Sequence, residues 1–415
     1  MVDDDDRRKS RPWTPENPPP DRLIVPLLAA IAAAGPVALN IYLPALPAVQ
    51  QAFDASVSDV QLTLSVALLA FAAALLFYGP ASDRFGRRPV LLVGIGLFLL
   101  GTLLCLVAPN LELLIIGRAI QSTGMAAGFI ISRAIVADLY PTEKMARMIA
   151  YLTMVMVVGP TVAPFIGGLL VAHHGWHSLF VALLGAGALI FWLAYGMIPE
   201  TRAPRETVPT IGDLLRAAGS LLRRPAFVGY AFQGSAVFAV FIVFISITPY
   251  VMVRGLGRPP TEYGLYYLLI AVGYFLGNLG VTHLHRRGTR TLMAAGVSLS
   301  AISALVTLGL HVAGFNHPLA IFLPMFTLSI GQGLTLPNVT ANAISLAPDH
   351  GGTAASLLSF IQQIFGAACV QWMARFPVDT PSAMLIFCAG TSVIAFVLLL
   401  PLLRPGAAAA ARARA

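Results

Sequence analysis

Residues 79–89 read GPASDRFGRRP, two glycines, one acid and three arginines set between apolar runs at 59–80 and 90–108. A chain that reverses sharply between two apolar helices uses glycine for the tight geometry, here Gly79 and Gly86. Asp83 with Arg84, Arg87 and Arg88 supplies charge-assisted pairs that can lock the two helix ends together. An ordinary basic loop also carries arginines, but it does not need this order of glycine, acid and base. What the stretch does depends on what the runs beside it are.

Those runs belong to a set. Hydrophobic residues make up 57% of the 415 positions and charged residues only 11%, against about 25% charged in a soluble globular protein. Mean hydropathy is +0.80. Apolar stretches of about 18 residues or more with few charges read as membrane-spanning helices. Twelve occur, at 23–48, 59–80, 90–108, 112–137, 148–171, 179–198, 227–252, 264–284, 291–312, 318–342, 354–374 and 383–403. The expected architecture is an all-α membrane protein of twelve transmembrane helices.

The net charge of +8 is topological rather than a nucleic-acid footprint. With the N-terminus placed in the cytosol, 22 of the 26 lysines and arginines fall on cytosolic segments or inner helix ends, Arg133 at the inner end of span four among them. Arg254, Arg258 and Arg375 fall outside, and Arg118 lies within a span. The positive-inside rule then puts both termini in the cytosol. The opening MVDDDDRRKSRPWTPENPPPDR (1–22) reads as a disordered cytosolic tail rather than a cleavable signal, and 404–415 reads as a second tail. Cys105, Cys369 and Cys388 all lie in spans and suggest packing rather than disulfides or metal ligation.

The longest internal polar stretch is 199–225, with six spans on either side. It is too short to be a domain, and Ile211–Leu222 within it reads as an amphipathic helix on the cytosolic surface. The expected organisation is a bundle at 23–199, a linker at 200–225 and a second bundle at 226–403. Six helices, a linker and six helices suggest a duplicated transporter with a midplane site between two pseudo-symmetric bundles. Pro44 and Pro47 near the outer end of span one, and Pro249 near that of span seven, fit matched helices that bend at one depth, although unrelated terminal prolines remain the alternative.

Span four carries GRAIQSTGMAAG (117–128). Arg118 sits about 10 Å inside the outer surface at 1.5 Å per residue. A guanidinium there costs about 2.5–3.5 kcal/mol even on the mildest insertion scale, so it needs a partner or a wet cavity. Arg118, Ser122, Met125, Phe129 and Ser132 share one helical face. Span five carries GPTVAPFIGG (159–168), in which Pro164, Gly167 and Gly168 make a bent surface of small residues, suited to close helix packing.

Together these stretches resemble a known family. GPASDRFGRRP is similar to the loop signature of the major facilitator superfamily, with Ala81 where leucine is usual. The loop between spans eight and nine, with Gly277 and basic residues but no acid, resembles its degenerate second copy. Arg118, Gln121 and Gly124 match the span-four pattern, Ser122 replacing a glycine. GPTVAPFIGG resembles the superfamily's antiporter signature, Ala163 replacing a glycine, and that signature implies export. With LNIYLPALP in span one, ADLYP at 137–141 and GWHSLF at 175–180, the chain resembles the bicyclomycin/chloramphenicol-resistance group of drug:proton antiporters, strongly over the first half and mainly by layout over the second.

The resemblance implies the major facilitator fold in a bacterial inner membrane and efflux of a small amphipathic substrate, with protons as the coupling partner. An uncoupled facilitator or exporter of one metabolite is the alternative. The lipid bilayer is the surrounding partner, a monomer is expected, and no cofactor, metal, nucleic acid or enzymatic activity is. No Gly-Lys-Ser/Thr phosphate loop points to ATP drive. In the second half, Gln233, Phe241 and Phe244 on span seven, Tyr267 and Tyr274 on span eight, and Asn338 and Asn342 on span ten fall on helical faces suited to such a ligand. Such stripes also serve helix packing. Asp83, Arg84, Arg87, Arg88 and Asp138 are the expected gating charges, with Pro164, Gly167 and Gly168 as the bending element.

Asn40 and Tyr42 are polar groups near the outer end of span one, and a polar group in hydrocarbon needs a partner or a purpose. Relatives in the group carry Asp where this chain has Asn40, so the resemblance puts Asn40 in the substrate site facing Arg118. An amide keeps the hydrogen bonds of a carboxyl and loses its titration. No Asp or Glu lies deep in any span, which leaves Glu112 and Asp59, near the outer surface, as the candidate proton carriers.

Overall fold

The computed structural model describes residues 20–201, 211–347 and 351–403. Among these residues no strand occurs, and twelve helices are long and apolar enough to cross a membrane. They are α1 (Asp21–Phe53), α2 (Val57–Phe85), α3 (Arg87–Leu106), α4 (Leu111–Leu139), α5 (Thr142–His174) and α6 (His177–Met197), then α7 (Pro225–Gly255), α8 (Pro260–Leu284), α9 (Thr289–Val312), α10 (Pro318–Ser345), α11 (Gly351–Met373) and α12 (Ser382–Leu403). They form two pseudo-symmetric six-helix halves, α1–α6 and α7–α12. Of the expected tails only residues 20–22 are among those described, and 202–210 of the expected linker also lies outside them.

Helix ends follow local chemistry. Ser56 Oγ accepts from the Asp59 backbone N–H at 3.1 Å to start α2, and Asn110 Oδ1 accepts from that of Leu113 at 2.9 Å to start α4, each satisfying a donor the helix leaves free. The turn between α2 and α3 corrects the expectation of a loop over 79–89. α2 runs on through Pro80 and Asp83 to Phe85, and the reversal takes place at Gly86 alone, whose φ of 95° lies where side-chain-bearing residues are strained. Gly79 is an ordinary helical residue with open space at its Cβ position.

The duplication is visible in packing. A Cβ at Gly101 would stand 2.2 Å from the Gln121 backbone nitrogen and one at Gly124 2.3 Å from that of Phe98, so α3 and α4 meet backbone to backbone. In the second half α9 and α10 meet the same way, with Gly296 and Gly331 each facing the other's carbonyl at 2.5 and 2.3 Å. The leading helices of the halves are both irregular in their far portions. α1 breaks into a 3-10 turn at Leu43–Ala45 beside Pro44, and α7 passes Pro249 into a π turn at Val251–Gly255. The helix Ile211–Leu222 does not only lie on a surface: Leu221, 1% exposed, packs with Phe227 and Leu402 in the core of the second half.

The halves close against each other on the side opposite the Gly86 turn, here the far face. Gln61 Nε2 donates to Ser246 O at 2.9 Å and Ser65 Oγ to Ala367 O at 3.3 Å. Gln371 Nε2 donates to Ser58 Oγ at 2.6 Å and Arg254 Nη1 to Gln50 Oε1 at 2.8 Å. A seam of bare backbone joins α5 to α8. A Cβ at Gly168 would lie 2.6 Å from Pro260 O, and one at Gly264 2.7 Å from Pro164 O. Gly167 presses on Ile41 O of α1 in the same way. Among the described residues no hydrogen bond joins the halves on the Gly86 face.

Candidate functional site: a midplane cavity closed on one side

Between the halves lies a cavity of about 270 Å³ walled by α1, α2, α4, α7 and α11. Its body is apolar, with Leu68, Phe71, Phe129, Phe238 and Phe241 prominent, and its polar groups are Asn40, Ser359, Gln362 and Gln363. Among the described residues no lining side chain is charged. A second space, sharing Phe238 and Gln362, runs along Tyr274, Thr340 and Ile344 toward the Gly86 face. The site is therefore sealed at the far face and continues toward the other.

Asn40 stands at the seam between the halves. Its Nδ2 donates to Pro36 O at 2.8 Å, and its Oδ1 accepts from Tyr267 Oη at 2.8 Å. Of the expected binding residues, Asn40, Phe129 and Phe241 line the cavity, Tyr267 reaches it through Asn40, and Tyr274 lines its extension.

The others are placed elsewhere. Arg118 is fully buried inside the first half and does not face Asn40 across the cavity. Its Nη1 donates to Gln121 Oε1 at 2.5 Å and to Ala38 O at 3.4 Å, and its guanidinium lies 4.5 Å from the centre of the Tyr42 ring. Gln121 is held in turn by donating to Thr102 Oγ1 at 2.9 Å, and Tyr42 by Thr63 Oγ1 at 3.0 Å. Ser122 is buried, and Met125 is covered by α1 where Gly35 lets that helix approach. In the second half Gln233 is buried away from both spaces, and Phe244 packs edge-on against Phe322 at 5.7 Å. Asn338 and Asn342 turn their amides back onto the Leu334 and Asn338 carbonyls of their own helix.

The Gly86 face carries an ionic cluster centred on Arg87. It pairs with Asp83 at 2.7 Å and Asp138 at 3.1 Å, and its Nη1 donates to Ser82 Oγ at 2.5 Å. Glu200, which follows α6, accepts from the backbone N–H groups of Arg87 and Arg88 at 2.8 and 3.2 Å and so caps α3. Arg88 donates to Tyr195 O, and Arg84 extends over Phe85. Nearby, Tyr140 donates to Asp21 at 2.8 Å; burial first, then the bond to that carboxylate, hold its hydroxyl above its ordinary pKa. The expected proton carriers are remote from the cavity. Asp59 is tied to Ser56 at the start of α2, and Glu112 is exposed in the first turn of α4.

Gln362 and Gln363 escaped the sequence reading. A pair of adjacent amides in an otherwise apolar run was the available signal. Adjacent residues point about 100° apart, so they make no stripe. Gln362 Nε2 and Gln363 Oε1 are buried without a hydrogen-bond partner.

Two matched helical halves around a midplane cavity define a membrane carrier. The profile of the Major Facilitator Superfamily matches residues 28–370, and the chain belongs to that family. It is 30% identical to the MFS-type transporter YdgK of Bacillus subtilis, with 82% of this chain and 86% of that protein covered. It is 28% identical to the bicyclomycin resistance protein homolog of Haemophilus influenzae, covering 89% and 93%. Multidrug resistance protein D of Escherichia coli is also 28% identical, covering 85% and 88%. Solved structures share the fold. A bacterial homolog of the human lysosomal transporter Spinster, in an inward-facing and unoccupied conformation, superposes with a TM-score of 0.71 at 16% identity, covering 95% of this chain and 97% of that one. A D-xylose–proton symporter gives 0.72 at 15% identity, covering 91% and 97%.

Proposed function

We propose that this protein is a secondary active exporter of small amphipathic molecules, working as a monomer by alternating access in a bacterial inner membrane. The observation that carries the proposal is the one-sided closure of an apolar, aromatic cavity that holds a few amides. The likeness to resistance proteins supports drug-like substrates. The functional halves are 23–199 and 226–403, joined by 200–225. The distribution of lysine and arginine supports an orientation with both termini and the Gly86 face in the cytosol, so the cavity here loads from inside. Opening the far seal while the ionic cluster holds the cytosolic side would release substrate outside.

Proton antiport is the driving force we assign by likeness to the drug:proton group. Uncoupled transport is the second reading, favoured by one observation: no carboxylate lines the cavity. Export of a fluorescent dye and of antibiotics from cells making the protein, with and without a protonophore, tests both. Export that collapses with the protonophore but survives loss of the membrane potential alone to valinomycin and potassium supports antiport. Export that persists or follows the potential alone supports the uncoupled carrier, and no export beyond vector cells overturns the function.

A further inference from the structure

Among the described residues a cation beside the cavity, Arg133, has no anionic partner. Arg133 lies one helical turn from Phe129 toward the Gly86 face, and its guanidinium carbon is 4.6 Å from the centre of the Phe129 ring, itself part of the cavity wall. Its hydrogen-bond partner is Met156 Sδ at 3.7 Å, a weak acceptor. Among the described residues no carboxylate pairs with it. The two buried arginines of this half are served differently: Arg87 holds two carboxylates, and Arg118, which also lacks a carboxylate, donates through Nη1 to an amide oxygen and a carbonyl and lies over the Tyr42 ring. A half-buried guanidinium without a counter-charge is unfavourable in a membrane protein unless something supplies the charge.

The rest of the site restricts what that is. The lining is uncharged and aromatic, and Gln362 Nε2 and Gln363 Oε1 are buried there without a protein partner. The guanidinium already occupies a face of the Phe129 ring, so that face is closed to a cationic ligand, and its charge repels one. At ~8 Å and an effective dielectric near 20, the guanidinium favours an anion over a neutral ligand in the cavity on the order of thirtyfold, and an anion over a cation on the order of a thousandfold.

We propose that Arg133 is the anion-recognition residue of the export site and that the substrate class is a monovalent organic anion. An aromatic or apolar body lies among Phe71, Phe129 and Phe241, a polar edge meets the Gln362–Gln363 amides, and a carboxylate or similar group reaches Arg133. The proposal rests on the export function above and deepens it. It also gives the uncharged lining a physical sense. An anion leaving a cell runs with an inside-negative membrane potential, so its export requires no carboxylate in the cavity to couple it to a proton.

The test uses three probes with one body: 1-naphthylacetate, 1-naphthylacetamide and 1-naphthylmethylammonium, binding to the purified full chain in lipid nanodiscs at neutral pH. The acetate is expected to bind at least tenfold tighter than the amide, and the ammonium most weakly. Arg133→Gln should bring the acetate-to-amide ratio to within about twofold of one, Arg133→Lys should keep part of it, and Arg258→Gln, which removes a charge at the far face, should leave it unchanged. An amide or ammonium that binds as tightly as the acetate to the natural protein overturns the proposal, as does an undiminished ratio in Arg133→Gln. If Arg133→Gln does not fold, the ordering in the natural protein and the Arg133→Lys ratio decide. Dye export with no preference for the anionic probe would overturn this assignment and leave the export function standing.

Discussion

The hydroxyl of Tyr267 donates to Asn40 Oδ1 at 2.8 Å across the boundary between the two halves. The same amide donates to the Pro36 carbonyl, so Asn40 accepts from one half and donates within the other. A protonated carboxyl can do both, whereas an ionised one only accepts.

Replacement of Asn40 should therefore act on the closure of the far face. Tyr267→Phe leaves the part-buried Asn40 oxygen without its partner, a loss of about 1 kcal/mol, and should raise the population open at the far face. Asn40→Asp should remain folded and make closure depend on pH, because only the protonated side chain reproduces both bonds. Closure in that variant is fullest at low pH and falls as pH rises. Spin-label distances between the far ends of α5 and α8, measured across pH 5–9, check this; a pH-independent distance in Asn40→Asp would remove Asn40 from the seal.

Arg87 joins two carboxylates, a hydroxyl and the Glu200-capped start of α3. Breaking a buried pair by removing one partner is strongly destabilising, about 3–5 kcal/mol when burial is complete. Arg87→Gln should lower the melting temperature clearly in detergent. Asp83→Asn, at a more exposed site, should lower it less and still reduce transport with membrane insertion intact. Transport at the natural level in Asp83→Asn would separate this cluster from the transport cycle.

Gln121 should matter more for stability than its neutrality suggests. It accepts from Arg118 and donates to Thr102, and a hydrogen bond to a charged group is worth about 1.5–3 kcal/mol. Gln121→Leu should lose about that much in thermal unfolding. Arg118→Lys should also lose stability, because an ammonium on a shorter stem gives up the planar face that lies over the Tyr42 ring and moves the donor away from the position of Nη1 beside Gln121 and Ala38. Unchanged melting in both variants would mean that Arg118 is held by packing alone.

Gly168 and Gly264 are predicted to set the resting state. A side chain at either position meets backbone at 2.6 or 2.5 Å, which no rotamer relieves. Gly168→Val should separate α5 from α8 at the far face and expose Cys369 on α11 to a membrane-impermeant maleimide applied from that side. Labelling no faster than in the natural protein would show that the seam does not govern closure.

The fold was legible in the sequence because a bilayer demands long apolar runs, and such runs are hard to mistake. The helix ends were less so. Asp83 and Arg84 look like loop residues but remain helical, since the turn needs only Gly86. Of the residues that line the cavity, Phe129 and Phe241 were legible from helical period, and Asn40 from its polarity together with the family resemblance. Ser122, Met125 and Arg118 share that period with Phe129, yet α1 covers them, because Gly35 lets it approach α4 more closely than a stripe on one helix can reveal. Gln362 and Gln363 were missed for the opposite reason: they face the cavity without forming a stripe.

The seam between α5 and α8 is made of main-chain atoms where Gly168 meets Pro260 and Gly264 meets Pro164, and among the described residues no ion pair crosses it. In the orientation proposed it lies on the outer surface of the cell. A flat, rigid molecule that slips between Gly168 and Pro260 would keep the halves apart like a shim in a hinge. Such an inhibitor would act from outside without crossing the membrane, and loss of its cargo recognition through mutation of the cavity would not protect the transporter from it.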